Sequence, residues 1–263
     1  MNLPGELPKV SIITVMFNSA VTVKDCIDSV AMQDYPFVEH ILVDGGSKDG
    51  TIDIIRANET RIARWISEPD QGIYDALNKG ILMSSGEIVG ILNADDFYPD
   101  PDVISTIVQA MRDRVMDSCY GDIDYVDSKH VEKTVRAWRS GPFEKGMFFK
   151  GRFPAHPTFF VKRAIYDRLG LYTIGLRLAA DFELMLRFLE RHAISTCYIP
   201  RVLVKMRTRG SSNRALSGMV RSLAECREAF RLNGFKAPML FVPKTLLFRM
   251  LHIRGRKKTG GSS

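Results

Sequence analysis

Residues 87–100, EIVGILNADDFYPD, run from an apolar stretch straight into two adjacent aspartates. Ile88, Val89, Ile91 and Leu92 lack helical spacing, so the run reads as a buried strand of the kind found in parallel sheets. It stops at Asn93, and Asp95 and Asp96 follow at once. Two like charges at a strand tip repel unless a cation lies against them. A hard divalent ion meets that need, because Mg²⁺ takes one or two carboxylates and completes its shell with substrate phosphates. Capping of the next helix accounts for Asp100 and Asp102, which flank Pro101, but not for Asp95 and Asp96.

The same rhythm extends outward on both sides. KVSIITVMFN (9–18) reads as a strand, and AVTVKDCIDSVAMQ (20–33) as a helix with apolar Val23, Ile27, Val30 and Ala31 on one face. HILVDGGSKDGT (40–51) is a second strand stopped by Asp44 and a glycine pair. TIDIIRAN (51–58) opens a helix with Asp49 or Thr51 as its cap. ARWISEP (63–69) is a third strand. GIYDALNKGILMSSG (72–86) is a third helix, and PDVISTIVQAMRDR (101–114) a fourth with Pro101 near its first turn. Alternating strands and helices predict an α/β fold with a mostly parallel central sheet flanked by helices. Ligands of such sheets bind outside the carboxyl ends of the strands, so Asn18, Asp44, Glu68 and Asp95/Asp96 are expected around one crevice.

Beyond residue 115 the rhythm changes. SCYGDIDYV (118–126) and VEKTVRAWR (131–139) suggest a hairpin or a mixed addition to the sheet. PTFFVKRAIYDRLG (157–170) reads as strand then helix. AADFELMLRFLERH (179–192) reads as an amphipathic helix, ISTCYI (194–199) and RVLVKMR (201–207) as two short strands, and LSGMVRSLAECREAFRLNG (216–234) as a helix stopped by Asn233-Gly234. No internal repeat is present.

The bulk composition excludes several classes. The 263 residues are 45% hydrophobic and 25% charged, ordinary for a folded soluble domain. Cys26, Cys119, Cys197 and Cys226 lack metal or redox spacing, so reduced, buried thiols are expected. The N-terminal MNLPGELPKV lacks the basic and apolar regions of a signal peptide, and no apolar span is long enough to cross a bilayer. Within the net charge of +7, residues 201–263 hold 15 Lys and Arg against only Glu225 and Glu228, whereas residues 1–200 are acidic. That asymmetry points to an anionic surface as partner. Residues 238–258 mix apolar and basic side chains in the manner of an interfacial helix on an anionic leaflet. No basic platform interleaved with aromatics appears, so nucleic acid is not an expected partner.

VSIITVMFN, ILVDGGSKDGT, SEPDQGIYDALNKGI and GEIVGILNADD occur in this order, and together they resemble a family 2 glycosyltransferase of the GT-A fold. The resemblance spans roughly residues 8–210 and is nearest to bacterial enzymes of exopolysaccharide, capsule or O-antigen synthesis. It implies an inverting, metal-dependent enzyme that moves a sugar from a nucleoside-diphosphate sugar, usually a UDP-sugar, to a saccharide or polyprenyl-linked acceptor. By that resemblance Val15 and Phe17 pack on the base beside Asn18, and Asp44 binds base or ribose. Asn93 bonds a ribose hydroxyl, and Asp95 and Asp96 hold Mg²⁺ or Mn²⁺ against the diphosphate. Asp181 in LAADFELMLRF is the general base, with Glu183 as the alternative. His156 in PAHPTFF sits where relatives carry a polar acceptor-side residue. Read from the residues themselves, Asp122 and Asp124 in YGDIDYVD share a strand face that either lines the acceptor side or is solvated, and Arg207 in KMRTRGSSN precedes a loop that either closes over the diphosphate or is a plain surface loop. Residues 1–212 then form the GT-A domain, with a nucleotide half (1–114) and an acceptor half (115–212), and residues 213–263 a basic helical extension. The expected location is the cytoplasm, at the inner face of the plasma membrane.

Two departures from the family pattern stand out. Many members carry Asp where this chain has Asn93, and Glu where it has Ala180. They leave open a non-catalytic nucleotide-sugar-binding subunit of the same fold. A sugar-phosphate nucleotidyltransferase is disfavoured, because VMFNSAVTV lacks a Gly-rich, Arg-containing loop. Trp65 and Trp138 read as packing residues.

Overall fold

The computed structural model describes residues 7–208 and 215–238. Its first half is the expected alternation: β1 (Val10–Met16), α1 (Val23–Ala31), β2 (Val38–Asp44), α2 (Thr51–Ala57), β3 (Arg64–Ser67), α3 (Ile73–Met83) and β4 (Ile88–Ile91). These four strands pair in parallel in the order β3-β2-β1-β4. The period-two alternation of a strand decides the layers. Ile13 and Val15 of β1 join the core under α3, while Val10 and Ile12 join the core under α1 and the next helix, α4 (Val103–Asp113). A two-residue strand, β5 (Asp96–Phe97), precedes α4.

The second half completes a mixed sheet. β6 (Ser118–Val126) and β7 (Thr134–Trp138) form the antiparallel hairpin. β8 (Phe160–Lys162) lies antiparallel between β4 and β6 and leads into α5 (Arg163–Leu169). ISTCYI and RVLVKMR are not two strands but one, β9 (Thr196–Arg207), which runs parallel to β6 and antiparallel to β5. Pro200 is tolerated because the β6–β9 register shifts around it, a bulge where a missing N–H costs nothing.

The segment 179–192 departs from a regular amphipathic helix. α6 (Ala180–Met185) passes into a π-helical turn over Leu186–Arg191, and burial runs almost all round it. α7 (Ala215–Leu232) begins beyond the expected boundary at 212/213, yet Phe230 is fully buried against Phe149 and Phe182. Through residue 238 the chain is therefore part of the same core, and the basic stretch beyond it lies outside the described residues. All four cysteines are free and buried, and burial pushes the Cys26 thiol up to about 12.

The crossing of β4 and β8 leaves no room for a side chain at Gly90. A Cβ there would stand 2.1 Å from the fully buried Phe160 ring. Gly90→Ala is expected to cost about 1–3 kcal/mol, the usual penalty of overpacking, read as a lower urea midpoint at unchanged m. An unchanged midpoint would mean the two strands have slack.

Candidate active site

The carboxyl ends of β1 and β4 and the start of α3 enclose a cavity of about 970 Å³. Val15, Phe17, Asn18, Asn93, Asp95 and Arg207 all line it, as six of the expected donor-side residues. Phe17 keeps 64% of its surface exposed there, an apolar face available to a flat ring. Asn18 adopts φ 52°, a left-handed conformation that Asn tolerates. Its Oδ1 accepts from Lys48 N at 3.0 Å, and its own N–H donates to Ser47 Oγ at 2.7 Å. The DGGSKDGT turn thus braces the end of β1. Asp49 also accepts the Thr51 N–H at 3.1 Å, as expected of a cap, although Gly50 holds the N-cap position.

Asp44 does not reach the cavity. It is fully buried, and its carboxylate accepts from Gly46 N at 2.9 Å, Ser47 N at 2.8 Å and Ser67 Oγ at 2.7 Å. Its acceptor capacity serves its own turn rather than a base or ribose. Asp70 lines the cavity instead, a residue the sequence reading passed over. A Cβ on Gly45 would stand 2.6 Å from Asp70 Oδ2 and 3.5 Å from the Phe17 ring, so glycine lets both close on that end. The available signal was the Asp-Gln-Gly turn just after β3, at the same edge as the other strand ends. Glu68, also expected at the crevice, pairs with Lys79 at 2.8 Å and is absent from the lining.

The aspartate pair divides. Asp95 lines the cavity, whereas Asp96 has no exposed surface and turns into the protein. Asn93 Nδ2 donates to Asp96 Oδ2 at 3.1 Å, and Oδ1 is buried without a hydrogen-bond partner among the described residues. Burial first, and then the Asp95 charge, push the Asp96 carboxyl from its ordinary 3.8 up to about 8. The repulsion read in the sequence is therefore relieved by protonation at neutral pH, before any cation arrives. Arg207 fixes the neighbouring backbone. Its Nη1 donates to the Asp95 carbonyl at 2.9 Å, it pairs with Asp25, and its guanidinium lies 4.9 Å from the Phe97 ring centroid. Asp100 and Asp102 cap nothing with their side chains; both pair with Arg201, at 2.9 and 2.5 Å.

A second cavity, of about 240 Å³, adjoins the first, and Ile73, Asn93 and Met206 line both. Asp181 and His156 line the second. Asp181 sits in the first turn of α6, where a carboxylate is favoured by the helix dipole, and its Oδ1 accepts from Tyr74 Oη at 3.2 Å. Burial and the Asp181 charge hold the Tyr74 hydroxyl well above its usual range, so Tyr74 stays a donor. Tyr74 stacks on Tyr172 with centroids 5.6 Å apart, and Tyr172 Oη bonds His156 Nε2 at 2.7 Å. Neither tyrosine carried a signal in the sequence. Burial lowers the His156 pKa, against the raising pull of Asp181.

Three expected site residues go elsewhere. Glu183 is buried away from both cavities, held by Arg187 at 3.1 Å, Thr173 at 3.0 Å and Asn233 at 3.0 Å. It fastens the C-terminal end of α7 to α6 and is not placed to act as a base. Asp122 and Asp124 share one face of β6, as their spacing requires, but it is the face away from the cavity. Asp122 accepts from Ser140 N and Tyr198 Oη, each at 2.9 Å, and Asp124 pairs with Arg139 at 2.8 Å. The opposite face, with Ile123 and Tyr125 of β6 and Trp138 of β7, lines the second cavity. Trp138 is 9% exposed, so it packs and lines the cavity at once.

The mixed α/β sheet carries one large cleft at its strand ends beside a second, carboxylate-bearing one, the arrangement expected of a GT-A glycosyltransferase. The chain belongs to the glycosyl transferase family 2, whose model matches residues 11–170. It is 32% identical over 185 residues to an uncharacterized glycosyltransferase of Mycobacterium tuberculosis, covering 68% of each chain. It is 29% identical over 196 residues to a PGL/p-HBAD biosynthesis glycosyltransferase of the same organism, covering 73% of this chain and 74% of that one. Among solved structures, S. aureus TarS 1–349 superposes with a TM-score of 0.68 at 16% identity, over 90% of this chain and 68% of that one. Mannosyltransferase PcManGT from Pyrobaculum calidifontis, in complex with GDP-Man and Mn²⁺, superposes with a TM-score of 0.64 at 20% identity, over 95% and 71%. At these identities the structures establish the fold.

Asp96 gives a pH test. The folded state binds its proton more tightly than the unfolded state, so stability is lost as pH rises from about 4 through about 8. Asp96→Asn removes that loss. Its Tm relative to the parent is expected to climb across this window in metal-free buffer, and a flat difference would contradict the buried, protonated carboxyl.

Proposed function

We propose that the protein transfers a sugar from a nucleoside-diphosphate sugar to an acceptor hydroxyl with inversion at the anomeric carbon. One observation carries this reading: two cavities meet at Asn93, one lined by Asp95 and the other by Asp181. A donor lying along the first, with its sugar toward Asn93, presents its anomeric carbon to a hydroxyl held at Asp181. Asp181 takes the hydroxyl proton as general base, oriented by the Tyr74 hydroxyl. In-line attack from the second cavity on a leaving group in the first inverts the configuration.

The nucleoside end is assigned to Phe17 and Asp70, with uracil as the base expected from the family resemblance. One carboxylate of the pair, Asp95, faces the larger cavity and would be the protein's ligand to a divalent cation. Among the described residues no three His, Cys, Asp or Glu side chains converge, so Asp95 would supply the protein's carboxylate and the diphosphate the remaining oxygens. Bound Mg²⁺ or Mn²⁺ supplies Lewis-acid stabilisation of the departing diphosphate. Asp96 supports Asn93 from behind, and Arg207 positions Asp95 through its carbonyl.

The acceptor is assigned to saccharides or lipid-linked saccharides of a surface polysaccharide, handled at an anionic membrane face. The basic residues of 238–258 support this, each contributing about 1 kcal/mol near such a surface.

Two outcomes check the scheme. Asp181→Asn is expected to lower kcat by about 10²–10⁴-fold with donor affinity nearly unchanged, whereas Glu183→Gln acts through stability. Equal kcat losses after both are matched for folded fraction would remove Asp181 as base. Asp70→Asn is expected to raise the Kd for UDP about tenfold by removing one charge-assisted hydrogen bond, and an unchanged Kd would return base recognition to Asp44.

A further inference from the structure

The second cavity says more about the acceptor than the family does. Its polar lining groups are few: Asp181, where the hydroxyl would be activated, with His156 and Asn93. Ile123, Tyr125 and Trp138, brought there by strand alternation in the β6–β7 hairpin, and Phe153 of the segment that follows make an aromatic and apolar wall. Phe153 meets Trp138 edge to face, with centroids 5.6 Å apart, so the aromatic wall is itself packed. The Arg136 guanidinium lies over Tyr125 at 4.8 Å and over Trp138 at 5.9 Å, which holds the two rings from their own strand pair.

The charge pattern is one-sided. Among the described residues that line this cavity, Asp181 is the only acid and no Lys or Arg is present. His156 bonds to Tyr172, and burial lowers its pKa. A carboxylate or phosphate on the acceptor ring would meet Asp181 with no Lys or Arg of the lining to offset the repulsion; Arg136, over the Tyr125 and Trp138 rings, is not part of that lining. The volume, about 240 Å³, falls below the roughly 300–1,000 Å³ of sites for drug-sized ligands, so one ring fits and a longer glycan must extend outward.

We infer that the second cavity selects a single neutral pyranose that lays an apolar C–H face on the Trp138–Tyr125 wall and turns one hydroxyl to Asp181. The negative face of an aromatic ring attracts the positively polarised C–H bonds of such a sugar, and the apolar contact adds burial. Uronic acids and sugar phosphates are rejected by charge. This rests on the reading of Asp181 as the base and of the larger cavity as the donor site.

Trp138 makes the test direct, because Trp65 is the chain's other tryptophan. In Trp65→Phe protein with UDP and Mn²⁺ present, emission reports on the second cavity alone. Methyl glycosides of neutral hexoses and 6-deoxyhexoses are titrated against the matching methyl uronides, and UDP binding is measured by calorimetry on the same sample. At least one neutral glycoside is expected to change the emission saturably, with the uronides about tenfold weaker or more, the cost of an unscreened like charge across a few ångströms. Asp181→Asn is expected to narrow that gap. Uronides binding as well as neutral sugars, or no response to any glycoside while UDP still binds, overturns the inference and leaves the donor reading standing. Loss of UDP binding itself overturns both. Saturation-transfer NMR on the unsubstituted chain reads the same order of ligands should Trp65→Phe fail to fold.

Discussion

Arg207 holds the corner on which both cavities depend. It closes β9, and from there it donates to the Asp95 carbonyl, pairs with Asp25 of α1 and covers the Phe97 ring. The short β5–β9 pairing sets Asp96 opposite Met206, so the same strand that fastens the aspartate corner also supplies a residue common to both linings. A charge-assisted clamp of this kind ties the parallel nucleotide half to the mixed half built on β6. The β4–β8 and β8–β6 pairings join the same two halves through the sheet, and the Arg207 clamp adds a second tie at the strand ends.

Around that corner, burial sorts two chemically identical side chains into different tasks. Asp95 faces the larger cavity. Asp96 is taken out of water, protonated near neutral pH, and bonded by Asn93. The replacement of an expected acid by Asn93 fits this arrangement: a third carboxylate beside a buried acid would add like-charge repulsion, whereas an amide donates to it. Asn93 also lines both cavities, so the substitution tunes the junction without emptying it of polar groups.

The parallel half of the fold was legible because its strands are apolar runs broken by turn residues, whereas the order β3-β2-β1-β4 came from the structure. The hairpin was legible from alternation in YGDIDYVD, but which face it buries was not. Asp122 and Asp124 attract attention as acids, while the residues that line the cavity are their neighbours Ile123 and Tyr125. Asp44 is ambiguous for a related reason. A carboxylate at a strand end can serve a ligand or its own turn, and only the positions of Gly46, Ser47 and Ser67 decide between them. Asp181 and Glu183 are two residues apart on a helix and so point to different sides, one to a cavity and one into the core. Tyr74 and Tyr172 had no signal, since Tyr74 meets Asp181 across 107 residues of sequence and Tyr172 meets His156 across 16. Pro200 suggested a break between strands that the bulge in β9 absorbs.

The central claim is that Asp95, set by Arg207 at the edge of the larger cavity, binds a nucleoside diphosphate through a divalent cation. Calorimetry of UDP with Mn²⁺, with EDTA, and with Asp95→Ala protein measures this most directly. Saturable heat that requires Mn²⁺ and disappears in Asp95→Ala is the predicted result. UDP binding that is equal in EDTA and in the variant, or absent under all conditions along with that of GDP and dTDP, would contradict it.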